Sequence, residues 1–194
     1  RVIAPLFNRF RPLEDETLRE RIEALLERCG FQSRGVFVMD ASRRSAHGNA
    51  YFGGLGNNKR IVFFDTLLKS LNHDEIEAVL AHELGHFKRK HVRKLLLTVA
   101  MSSLAGLAVL GWLIQKEWFY QALGVSQPSV HAALVLFMIA APVFTFFVQP
   151  LLAAALRKHE FEADDFAAEQ ARPGDLISAL VKLYEENAST LTPD

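Results

Sequence analysis

Two uncharged stretches constrain this chain more than any other feature. From Leu95 to Ile114 there is no Asp, Glu, Lys or Arg, and the same holds from Val130 to Leu156, where only His131, Pro142, Gln149 and Pro150 interrupt the apolar run before Arg157-Lys158 closes it. A helix of about 20 residues rises about 30 Å, the hydrocarbon thickness of a bilayer. One such run can be the core helix of a soluble protein. Two in a chain of 194 residues leave too little protein to cover them. Half of the residues are hydrophobic although 23% are charged, so the apolar residues are concentrated. The sequence therefore predicts a two-helix transmembrane hairpin, about 95–114 and 130–156, with the lipid bilayer as a partner. The prolines of the second run predict kinks and contact with further protein.

The flanks orient this hairpin. Lys88, Arg89, Lys90, Arg93 and Lys94 precede the first run and Arg157 and Lys158 follow the second, whereas the connection 115–129 holds only Lys116 and Glu117. The excess of basic residues predicts that both outer ends face the cytoplasm, as in the endoplasmic reticulum or a bacterial inner membrane. Trp112, Trp118, Phe119 and Tyr120 are expected at the far interface.

Just before the hairpin stands Ala81-His82-Glu83-Leu84-Gly85-His86. On a helix, His82 and His86 are one turn apart on one face, where two imidazoles can share a Zn²⁺. Glu83 is then placed as the base that takes a proton from a water the metal activates. The plainer reading is two histidines and a glutamate on a solvated helix. Asn72, Asp74, Glu75, Ile76, Ala78, Val79 and Leu80 supply an N-cap, an acidic first turn and apolar spacing, so the helix has independent support.

The rest is organised around that helix. Leu18, Ile22, Leu25, Leu26 and Cys29 repeat at helical spacing until Gly30 stops them, after an approach from Arg1 to Pro12 with no period. The runs 35–39, 47–52 and 60–64 read as three short strands joined by tight turns, in an antiparallel or mixed sheet. Gly53-Gly54-Leu55-Gly56 is a hairpin turn and not a phosphate loop, since no Lys-Ser/Thr follows it. Pro173-Gly174-Asp175 opens a last helix with Leu176, Ile177, Leu180, Leu183 and Tyr184 on one side, packed on the core. Lys+Arg and Asp+Glu both number 22, which excludes nucleic acid as an obvious partner. Cys29 is alone, so no intramolecular disulfide can form. The chain opens at Arg1 without methionine or signal peptide and reads as a fragment of something longer.

A catalytic zinc takes three protein ligands and keeps one position open, so a third ligand is required. After the second run comes His159-Glu160-Phe161-Glu162-Ala163-Asp164-Asp165. By itself this is the acidic first turn of an ordinary helix. Yet a hairpin returns both of its ends to one surface, and Glu160 has Asp164 one turn on along its own face. Glu160 can then bind the metal while Asp164 holds a ligand histidine by its second ring nitrogen. Glu162 lies about 200° from Glu160 around a helix and is expected to be a solvated charge. Of the other histidines, His47, His73, His91 and His131 lack a second ligand-type residue at helical spacing facing the His82 turn. His159 is expected at the rim.

Asn49-Ala50-Tyr51-Phe52, Lys59-Arg60-Ile61-Val62, Phe64-Asp65-Thr66-Leu67-Leu68, the His82–His86 motif, Arg157, Glu160-Phe161 and Ala163-Asp164 together resemble the Ste24-type CAAX prenyl proteases of the M48 metallopeptidases. The resemblance implies an α+β, predominantly helical fold: a gluzincin-like zinc metalloprotease core with a small β-sheet and the transmembrane hairpin. The core is then split into 1–94 and 157–194, with 95–156 between. It implies one catalytic Zn²⁺ on His82, His86 and Glu160, Glu83 as general base, and Asp164 behind a ligand. It further implies that Asn49, Ala50 and Tyr51 lie on a strand that pairs with an extended peptide or protein substrate. Further transmembrane segments belong to the family, as does a stretch beyond Asp194 whose polar residue polarises the scissile carbonyl. The substrate expected in eukaryotes is a prenylated CAAX-type C terminus; a bacterial member would instead serve membrane-protein quality control. Two rivals are a non-catalytic zinc-binding membrane scaffold, which would not cleave peptides, and a soluble zincin with an apolar insertion, which would not need detergent.

Overall fold

The computed structural model describes residues 10–40, 50–53 and 59–188. Helix α1 (Glu16–Cys29) starts where the Asp15 carboxylate accepts the Leu18 N–H at 2.9 Å, and ends at Gly30, whose φ of 74° is left-handed. Its buried residues are Leu18, Ile22, Leu25, Leu26 and Cys29, the five picked out by spacing.

Strands β1 (Phe10–Pro12), β2 (Ser33–Met39), β3 (Ala50–Gly53) and β4 (Lys59–Phe64) form one mixed sheet in the order β1-β2-β4-β3. The sheet therefore has a fourth strand that sequence reading treated as an aperiodic approach. Nor do β2 and β3 form a hairpin: β4 lies between them, parallel to β2 and antiparallel to β3. The reason is burial. Ile61 and Phe63 of β4 face the main core with Val36 and Val38 of β2, while Val62 packs with Met39 on the opposite face. A strand apolar on both faces belongs in the middle of a sheet. The turn signals at 41–49 and 54–58 lie outside the described residues.

A six-residue helix α2 (Asp65–Ser70), not anticipated from the sequence, leads into α3 (His73–Lys88). Asn72 and Glu75 form a reciprocal capping box at the start of α3, each side chain accepting the other's backbone N–H at 2.9 Å. The second leg of the hairpin and the stretch beyond it form one helix, α6 (Val130–Gln170), which contains Pro142 and Pro150 and runs through Asp164. Glu160 is thus deep within a helix and not in a first turn. The last helix, α7 (Pro173–Ala188), packs on α3 through Leu176 and Ala179, with Leu183 partly buried. Ile177, Leu180 and Tyr184 are exposed, so the apolar residues of α7 divide between two faces.

The chain divides into two compact units, Arg1–Arg89 with Glu162–Asp194, and Lys90–Phe161. In the first, α1, the sheet, α3 and α7 enclose one core. In the second, α4 (His91–Leu113), the short α5 (Glu117–Ala122) and α6 meet in a small cluster of Leu110, Phe119, Tyr120, Ala133 and Leu136. The Tyr120 hydroxyl donates to the Ile114 carbonyl at 3.0 Å. Phe119 and Tyr120 are therefore packed inside the second unit, because α5 folds back onto the ends of α4 and α6. Trp112 and Trp118 stay exposed. Both α4 and α6 are long and apolar enough to cross a membrane.

Candidate metal centre

Helix α3 presents two different faces. Ile76, Leu80, Leu84, Ala81 and Gly85 are buried, which leaves His82, Glu83 and His86 half-buried together on the remaining arc. The one-turn spacing brings the two rings edge to face, with centroids 4.8 Å apart and the Nε2 atoms 3.1 Å apart. At the start of the same helix the Glu75 carboxylate also accepts the Ser178 hydroxyl at 2.6 Å and the Lys182 ammonium at 2.8 Å, both from α7. Burial pushes that carboxyl up, but Lys182, Ser178 and the Asn72 N–H together outweigh it and hold it below its ordinary value. The acidic first turn is further engaged by Arg21 of α1, which binds both Asp74 and Glu77.

Asp164 comes to this helix from α6, its Oδ1 lying 2.9 Å from Nδ1 of His82. A carboxylate only accepts, so Nδ1–H donates, and a neutral His82 then presents a lone pair at Nε2. The approach is set by a residue that sequence reasoning did not single out. A Cβ on Gly85 would stand 3.0 Å from Cα and 3.1 Å from O of Ala163, which is itself fully buried. Any side chain at position 85 would push α6 away. The signal was there: a glycine in mid-helix costs about 1 kcal/mol against alanine and calls for a packing reason.

Glu160 stands one turn before Asp164 on α6, and ligand atoms of His82, His86 and Glu160 all lie within 4.8 Å of one another. These donors fit a single zinc ion: two imidazole nitrogens and one carboxylate oxygen are a catalytic-type set, and two nitrogens each about 2.0–2.1 Å from a tetrahedral ion stand roughly 3.3 Å apart. The observed separation of 3.1 Å is close to that. At this distance the two rings either share one N–H···N hydrogen bond or turn both lone pairs on one cation, according to the tautomer of His86. Glu162 is not in the group. Ala50 and Tyr51 are on β3, opposite Phe63 and Val62; Asn49 and His47 lie outside the described residues. His73 pairs with Asp15 at 3.0 Å, His131 is exposed, and His159 stacks on His91.

The family model described as Peptidase family M48 matches residues 12–192. The chain belongs to peptidase family M48. Its relatives include the CAAX prenyl protease 1 homolog of Arabidopsis thaliana, 41% identical over all of this chain and 46% of that protein. CAAX prenyl protease 1 of Saccharomyces cerevisiae is 35% identical over 99% of this chain and 46% of its own length. The Homo sapiens homolog is 34% identical, over 95% and 47%. The crystal structure of S. mikatae Ste24p superposes with a TM-score of 0.81 at 35% identity, covering all of this chain and 48% of that one. The chain thus spans about half the length of these relatives. M48 is a metallopeptidase family, and the helical fold with its small sheet agrees with the Ste24p structure.

Proposed function

We propose that this chain is the catalytic portion of a zinc-dependent membrane endopeptidase that processes CAAX-type C termini. The observation that carries the reading is the convergence of His82, His86 and Glu160, with Asp164 behind His82. His82, His86 and Glu160 would hold the ion. When bound, Zn²⁺ acts as a Lewis acid that lowers the pKa of water and polarises a carbonyl. Asp164 keeps the His82 proton on Nδ1 and so keeps Nε2 available as a donor. Glu83, next to His82 on α3, takes the proton of the attacking water and returns it to the leaving amine. Among the described residues β3 stands at the end of the sheet order. Its outer edge, at Ala50 and Tyr51, receives an extended substrate by strand addition, and Asn49, the preceding residue in sequence, is expected to bind the same substrate.

The names of the relatives support prenylated CAAX termini as the substrate class. The basic residues at both outer ends of the hairpin support a cytoplasmic active site. The core is divided in sequence at about 1–94 and 157–194, with the hairpin between. The test is a variant series in the full-length parent, assayed for zinc content and for cleavage of a farnesylated CAAX peptide. Glu83→Gln should keep zinc and lose at least 10²-fold in turnover, whereas Glu160→Ala should lose both. Glu162→Ala should lose neither. Turnover of Glu83→Gln within a few-fold of the parent would end the mechanism.

A further inference from the structure

Two pairs of cations meet at the basic end of the hairpin, and the proposed chemistry uses none of them. Lys90 and Arg93 stand at the start of α4, whereas Arg157 and Lys158 lie on α6, far later in the sequence. The ring of His91 lies on that of His159, with centroids 4.3 Å apart and planes 11° apart, which sets both pairs at one level. Adjacent helical residues are about 100° apart, so Arg93 and Arg157, each two positions from a stacked histidine, stand about 200° round from that contact. Both therefore look outward from the helix pair. All four cations are exposed, and among the described residues none of their side chains makes a hydrogen bond or ion pair.

Nothing on the span side neutralises them. There is no Asp or Glu from Phe87 to Lys116 or from Val130 to His159, and the next acid, Glu160, belongs to the proposed metal set. The apolar flanks begin directly beside these cations: Leu96 and Leu97 follow Arg93 on α4, and Leu151, Leu152 and Leu156 precede Arg157 on α6, all exposed. A phospholipid is built in the same order, with a phosphate at the headgroup level and acyl chains below it. A guanidinium grips a phosphate with two parallel N–H donors. Phosphatidylcholine covers its phosphate with a cation of its own, whereas phosphatidylglycerol leaves a net negative charge for the protein to neutralise.

We propose that Lys90, Arg93, Arg157 and Lys158 form a binding surface for anionic phospholipid, with the phosphodiester at the arginines and the acyl chains along α4 and α6. The inference rests on the hairpin spanning a bilayer, as proposed above, and not on the metal set. The far end of the hairpin holds Lys116 beside Glu117, so only the leaflet at the basic end is selected.

The full-length parent is reconstituted in mixed vesicles with a bimane on Leu97→Cys, one turn along α4 from Arg93. Quenching by brominated phosphatidylglycerol is compared with quenching by brominated phosphatidylcholine, and the same preparation without Leu97→Cys supplies the background. Phosphatidylglycerol should be preferred by about 5-fold or more, since one Lys or Arg beside an anionic surface is worth about 1 kcal/mol. A bimane on Val109→Cys, nearer the other leaflet, should be quenched about equally by both. Arg93→Gln/Arg157→Gln should abolish most of the preference at position 97, and Arg93→Lys/Arg157→Lys should keep most of it. Raising NaCl from about 0.1 to about 1 M shortens the Debye length from about 10 to about 3 Å and should weaken the preference. That series needs no charge variant, so it decides if the glutamine variant does not fold. Equal quenching by the two lipids at position 97 in the parent would mean that the cations set topology alone, and would end the proposal. If inorganic phosphate removes the preference, the surface binds a free anion and the lipid assignment is wrong. A parent released by alkaline carbonate without detergent would overturn the membrane reading first, and this inference with it.

Discussion

In the first unit Ile22, Leu25, Ile61, Phe63, Leu80 and Leu84 are fully buried, whereas in the second Leu96, Leu104, Phe144 and Phe147 stand 60–72% exposed. Both regions are rich in the same residue types, and both are helical. The first also closes its polar ends: Asp15 and Asn72 cap helices, and Glu75 accepts from α7 as well as from its own cap. The second has one small cluster near its connection and long apolar flanks. Apolar surface on that scale is stable only against lipid or other apolar protein. Two solvents, and not two compositions, explain the difference.

The largest break in that comparison should come from paired truncations. Leu25→Ala removes a fully buried side chain and should cost about 2–5 kcal/mol. Leu107→Ala, on α4 and 64% exposed, should cost under about 0.5 kcal/mol. Thermal melts in detergent would compare them; equal losses would mean that the hairpin is a protein core. Next comes Leu104→Arg, which places a charge near the middle of α4. It should reduce membrane insertion by an amount worth about 2.5–3.5 kcal/mol if lipid surrounds the helix, and should do almost nothing if water does. A glycosylation-site insertion assay distinguishes the two.

Gly85→Ala should cost about 1–3 kcal/mol as overpacking against Ala163. Because α6 is pushed off by that contact, zinc affinity should fall as well. Unchanged zinc affinity would show that α6 tolerates the shift. The smallest effect concerns Glu75, whose folded carboxyl titrates below its ordinary 4.5. Its stabilisation is thus complete above that value and is lost as pH falls through the lower, folded value. Glu75→Gln should cost about 1–3 kcal/mol at pH 7 by weakening the acceptor for Lys182 and Ser178. The deficit against the parent should shrink as pH falls below 4.5 and through the lower, folded value, and a constant gap would refute the coupling.

The comparison also explains what could be read in advance. Caps, the α1 face and the apolar runs depend on residues a few positions apart, and there sequence and structure agree closely. The packing of Phe119 and Tyr120 could not be read in advance, because an aromatic next to a span suits an interface and a small core equally well. The strand order was not legible for a similar reason: Ile61-Val62-Phe63-Phe64 has the two-sided apolar character of a central strand, but its neighbours depend on distant chain.

The candidate centre divides the same way. Helical periodicity alone puts His82 and His86 on one face, since a one-turn offset is a property of the backbone, and it puts Glu160 in line with Asp164. What periodicity cannot supply is the meeting of α3 with α6. That is decided by Gly85 against Ala163 and by Asp164 Oδ1 at 2.9 Å from His82, contacts between segments that the whole hairpin separates in sequence. Local spacing is written into each residue's position along the chain. Contact between distant helices depends on the shape of both surfaces at once, and only the folded structure holds both.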